Sequence, residues 1–78
     1  MRPIAIGDAV RRWRAVRGLS QRALAERAAI GYVIIARLEL GQTDPRLSTL
    51  EKLAKALNVT VAELIREGRP ARKRAGRR

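Results

Sequence analysis

Apolar residues recur along the first 65 positions at spacings of three and four, the period of helices that each bury one face. A first helix is predicted from Ile6 to Arg17, with Ile6, Val10 and Trp13 on one face, Asp8 near its positive end and Gly18 as its stop. Trp13 is expected in the core. Leu24 and Ala28 make an i, i+4 stripe on a second helix, which opens at Ser20, whose hydroxyl can cap free backbone N–H groups, and ends near Ala28. The third, from about Gly31 to Leu40, carries Ile35 and Leu38 at i, i+3. Ile30 plugs the corner between the two, and the small Ala25 lets them approach closely.

After a loop from Gly41 to Pro45, Leu47, Leu50, Leu53, Ala54 and Leu57 form the stripe of a fourth helix, with Ser48 and Glu51 at capping-box spacing and Asn58 as left-handed terminator. Thr60 and Glu63 repeat that spacing for a short fifth helix. Val59 and Leu64 stand as its hydrophobic staple, and Gly68 closes it. The fold class expected is all-α, with five helices in one domain.

Charge divides the chain. Eighteen Lys and Arg against seven Asp and Glu give 78 residues a formal charge of +11, more than solubility requires, and make a polyanion the natural partner. Residues 1–65 hold eleven basic and six acidic groups, net +5, whereas residues 66–78 hold seven and one, net +6. That last segment, REGRPARKRAGRR, has no apolar side chain larger than Ala, so it cannot bury enough surface to offset the entropy of ordering. The expected organisation is a folded domain over residues 1–65 and a disordered basic arm over 66–78. With no Cys and no His, thiolate metal sites and the commonest general base are absent, so neither an enzyme nor a cofactor is expected. MRPIAIGDAVRRW contains no apolar run long enough for a signal sequence or a membrane span, which points to the cytoplasm.

LSQRALAERA, RLELGQTDP and LSTLEKLAKALNVTVAELI together resemble the helix-turn-helix of the Xre and Cro/phage-repressor family, from about Ile6 to Ile65. The resemblance implies a lambda-repressor-like domain whose third helix lies in the major groove of double-stranded DNA. It also implies that Gln21 meets a phosphate while touching that helix, and that Arg14 and Glu39 form a partly buried ion pair; the alternative is that both charges point to solvent. Three positions depart from the family pattern. Ala29 stands where the turn usually has Gly, Gly31 replaces the usual Ser or Thr cap, and Leu40 replaces a polar residue that often faces phosphate.

Projected at about 100° per residue, the third helix turns Gly31, Ile35 and Leu38 inward and Val33, Ala36, Arg37 and Leu40 outward, with Tyr32 and Ile34 on the flanks. The expected base contacts are Tyr32, Val33, Ala36 and Arg37, since the N-terminal part of such a helix enters deepest. Arg37 can donate two hydrogen bonds to guanine O6 and N7, while Val33 and Ala36 suit thymine methyl groups. Val33 and Ile34 read otherwise as core or as a protein-binding patch, and the flank position of Ile34 favours that alternative. Gln21, Arg22, Gln42 and Arg46 are the expected phosphate contacts.

Val59, Val61, Ala62 and Ile65 are the candidate surface of a two-fold homodimer, unless all pack internally. The function read from the chain is a sequence-specific transcriptional regulator, a repressor or autoregulator, with no membrane or small-molecule partner. The alternatives are an antitoxin with a toxin as protein partner, or an interaction adaptor without specific DNA binding. RNA binding through the arm is a third possibility.

Overall fold

The computed structural model describes residues 6–68, so the basic arm from residue 69 onward lies outside the described residues. Five helices follow in order: α1 (Ile6–Arg17), α2 (Gln21–Ala28), α3 (Tyr32–Glu39), α4 (Leu47–Leu57) and α5 (Val61–Gly68). The helix periods thus read correctly along the chain. α5 runs three residues past the boundary expected at Ile65, which places Arg66 and Glu67 in the folded unit.

Val10, Leu24, Ile35, Leu38, Leu53, Leu57 and Leu64 are fully enclosed, so every helix sends at least one large side chain into a shared core. Ala9, Ala25, Ala28, Ala54 and Ala56 fill the narrow places between them. Gly7 marks the tightest approach: a Cβ there would collide with the Leu38 carbonyl and come within 3.0 Å of Glu39 Cα. The start of α1 therefore lies directly on the end of α3.

α1 to α4 all stop the same way. Gly18, Ala29, Gly41 and Asn58 adopt positive φ of 68°, 57°, 75° and 60°. The residue after each donates its N–H to a carbonyl five positions back: Leu19 to Arg14, Ile30 to Ala25, Gln42 to Arg37 and Val59 to Ala54, all at 2.9 Å. This 6→1 bond satisfies carbonyls that a helix end leaves open. Gly and Asn tolerate the conformation. Ala29 holds it against its own Cβ, so the turn between α2 and α3 stores strain.

The helix starts divide. Ser20 caps α2 by accepting from Ala23 N–H at 3.0 Å, and Thr60 and Glu63 form the expected reciprocal box on α5 at 2.8 and 2.9 Å. Ser48 and Glu51 do not form one. α4 begins at Leu47 with Arg46 as its N-cap, because Leu50 N–H already bonds the Arg46 carbonyl at 2.9 Å and gains an earlier turn of helix. Ser48 then sits inside the helix. Leu47, expected on the buried stripe, is largely exposed, since it falls at the first turn and at the edge of the stripe.

Two further expectations shift. Trp13 is only partly buried, because Ala9 and Val10 take the innermost positions on α1; its indole Nε1 is enclosed without a partner and the Arg17 guanidinium lies 5.2 Å from the ring centre. Gly31 points outward. As the N-cap of α3 it has extended φ and ψ of −60° and 140°, which takes it off the helical projection.

Candidate nucleic-acid interface

α3 is anchored by its inner face and its C-terminal end, which leaves the opposite face open. Ile35 and Leu38 are buried, and Glu39 behind them is the only buried charged group among the described residues. Arg14 Nε donates to Glu39 Oε2 at 2.7 Å and a terminal Arg14 nitrogen donates to Oε1 at 2.9 Å, so the implied ion pair exists and is bidentate. Gln21 Nε2 donates to Oε1 at 3.0 Å. Its expected contact with α3 is therefore present.

The surroundings keep both partners charged. Burial pushes the Glu39 carboxyl upward, but hydrogen bonds from Arg14 and Gln21 and the charges of Arg14 and Arg11 outweigh it and hold the group below the usual carboxylate range. Arg14 is raised by its hydrogen bond to Glu39. A carboxylate at a helix C-terminus meets the negative end of the backbone dipole, which the Arg11 guanidinium, bonded to the Glu39 carbonyl, offsets. One carboxylate thereby joins α1, α2 and α3.

Hydrogen bonds also sort the arginines, which the sequence could not do. Arg11 holds Asp8 and the Glu39 carbonyl, Arg12 holds the Glu67 carboxylate at 2.7 Å, and Arg17 donates to the Leu57 and Asn58 carbonyls. With Arg14, the whole arginine set of α1 is engaged within the fold. Arg22, Arg27, Arg37 and Arg46 have no intramolecular hydrogen bond or ion pair among the described residues. Three of these, Arg22, Arg37 and Arg46, were singled out from the sequence as nucleic-acid contacts.

On α3 itself, Tyr32, Val33, Ile34 and Arg37 are exposed and Ala36 is half-buried. Val33 is 55% exposed and Ile34 44%, so neither belongs to the core, including Ile34, whose flank position favoured it. Arg22 of α2 lies over the Tyr32 ring with its guanidinium carbon 4.3 Å from the centroid, a contact between helices that residue spacing does not announce. Gln42 and Arg46 are exposed in the loop that follows α3. Of the candidate dimer surface, Val59, Val61 and Ile65 are half-buried against the core, while Ala62 is exposed.

α2 and α3, joined by the tight turn at Ala29 with the outer face of α3 left open, form a helix-turn-helix. The chain belongs to the helix-turn-helix family HTH_3, which matches residues 10–64. It resembles the restriction-modification controller protein C.AhdI from Aeromonas hydrophila, at 33% identity and a TM-score of 0.75 over 78% of this chain and 92% of that one. It is also similar to the clp gene regulator ClgR from C. glutamicum, at 30% identity and a TM-score of 0.79 over 86% and 91%. A third similar structure is the master regulator for biofilm formation SinR in complex with DNA, at 33% identity and a TM-score of 0.72 over 76% and 95%. No curated protein matches the chain. No described helix is long and apolar enough to cross a membrane.

Proposed function

We propose that this chain, a DNA-binding transcriptional regulator by family, reads a specific duplex sequence with the open face of α3 and acts as a repressor or autoregulator. The observation that carries the reading is the pairing of that face with its anchor. Tyr32, Val33 and Arg37 project from a helix whose inner side chains and C-terminal carboxylate are locked to two others. Arg37 supplies a bidentate donor for guanine, Val33 and Ala36 supply methyl groups for thymine, and Gln21, Arg22, Gln42 and Arg46 surround them as backbone contacts.

A two-fold homodimer, with Ala62 and the outer edges of Val59, Val61 and Ile65 at its seam, would set two α3 helices about 34 Å apart on a palindrome. Removing residues 69–78 should flatten the dependence of affinity on salt, by about 0.9 in log–log slope for each phosphate the arm meets. Similarity to C.AhdI, SinR and ClgR supports the regulatory class.

Selecting bound duplexes from a random pool tests this. The expected product is a palindrome whose half-site carries a guanine and nearby thymines, with the guanine preference relaxed in Arg37→Ala. An unenriched pool contradicts it.

A second reading has a specific observation behind it: Val33, Ile34 and, six residues further on, Leu40 at 70% are all exposed, an apolar set that could dock a protein, as an antitoxin or adaptor requires. SinR is also known in complex with SinI, at 31% identity to this chain. An adaptor should bind DNA weakly, without sequence preference and with binding lost at moderate salt, whereas an antitoxin adds a protein partner to DNA binding.

A further inference from the structure

We infer that Arg22, held over the ring of Tyr32, reads a second guanine in the major groove instead of meeting a phosphate. The inference rests on the reading of α3 as the groove helix. Arg22 is the second residue of α2 and Tyr32 the first of α3, so their 4.3 Å stack bridges the turn at the end of α3 that enters deepest. Both side chains line a shallow groove with Ala25, Glu26 and Ile30.

The chemistry of the stack favours a base. A guanidinium held over an aromatic face is limited in where it can move, while its N–H donors remain along its own planar edge. Those donors find no intramolecular acceptor among the described residues, although Glu26 stands one turn further along α2. Guanine O6 and N7 require a planar fork presented in one orientation, whereas a phosphate accepts a guanidinium from many directions and gains little from a fixed plane. Arg17 provides the contrast on the far side of the core. It also lies against an aromatic ring, that of Trp13, yet its N–H groups are taken by the Leu57 and Asn58 carbonyls. Arg22 alone among the described residues combines a contact over an aromatic ring with an open edge. Tyr32 is then a positioning residue for Arg22 in addition to any contact of its own.

The test repeats duplex selection with Arg22→Lys, Tyr32→Phe and Tyr32→Leu, using the full chain, and records melting temperature and salt slope for each. The expected result is one guanine position, different from the one that Arg37→Ala relaxes, whose preference falls about 10- to 100-fold in Arg22→Lys. Tyr32→Leu should weaken the same position about 2- to 5-fold and Tyr32→Phe should weaken it less than Tyr32→Leu does, because Phe keeps a face to stack on. In Arg22→Lys the melting temperature and salt slope should not move, since lysine conserves the charge. If wild type enriches a consensus and Arg22→Lys weakens every sequence equally, Arg22 is a phosphate contact and the inference is overturned while the parent reading stands. If wild type enriches nothing, both are overturned.

Discussion

Arg14 and Glu39, 25 residues apart, meet through two parallel hydrogen bonds of 2.7 and 2.9 Å at the junction of α1, α2 and α3. Their side chains are 19% and 4% exposed, so either one left alone would keep a charge with little water around it. Glu39→Ala is therefore expected to lower folding stability by roughly 3–5 kcal/mol, close to the whole margin of so small a domain. Urea unfolding followed by circular dichroism measures this. A loss under 1 kcal/mol would mean that the pair is solvated.

The same carboxylate sets an acid limit. Its folded-state pKa lies below the unfolded value of about 4.3, so the stability it adds is fully present above that pH and is lost as pH falls through the folded value. Glu63 is also lowered, chiefly by the backbone hydrogen bond from Thr60, and acts in the same direction. Melting temperature against pH should thus decline on the acid side in wild type and decline less steeply in Glu39→Gln. Equal slopes would assign the acid limb to other groups.

Gly7 admits no side chain, because a Cβ would strike the backbone of Leu38 and Glu39. Gly7→Ala should cost about 1–3 kcal/mol despite the better helix propensity of alanine. The denaturation midpoint reports it, and an unchanged midpoint would show that α1 can slide away from α3 freely.

Two substitutions should stabilise the protein. At Gly31 the nearest atom to a new Cβ is Ile34 Cγ1 at 3.8 Å, and no side chain caps α3, so Gly31→Ser should add about 0.5–1 kcal/mol through a cap and a stiffer unfolded chain. Ala29→Gly releases a left-handed alanine and should add up to about 1 kcal/mol, reduced by the greater freedom of glycine when unfolded. Thermal melts of the two variants separate these effects.

Helix faces and ends were legible wherever one short stretch determines them. The Leu24–Ala28 stripe, the Ser20 cap, the Asn58 stop and the Thr60–Glu63 box each depend on neighbours within five residues. The misreadings came from competition between local options. At the start of α4 an earlier backbone hydrogen bond displaced the Ser48 cap, and on α1 Ala9 joined Val10 at the innermost positions while Trp13 stayed half-buried. The close approach at Gly7 depends on where the end of α3 crosses α1, which the helical pattern around the glycine does not announce. The Arg22–Tyr32 stack and the engagement of Arg12 and Arg17 depend on how helices cross, which local spacing does not encode.

Intermolecular contacts by nuclear magnetic resonance, measured on the protein bound to its selected duplex, test the central claim most directly. The expected result is a set of contacts from the Val33 and Ala36 methyl groups to thymine methyls, together with protection of the Arg37 guanidinium, all lost on an unrelated duplex. Contacts confined to sugars and phosphates, or falling on a face of the protein other than that of α3, would contradict it.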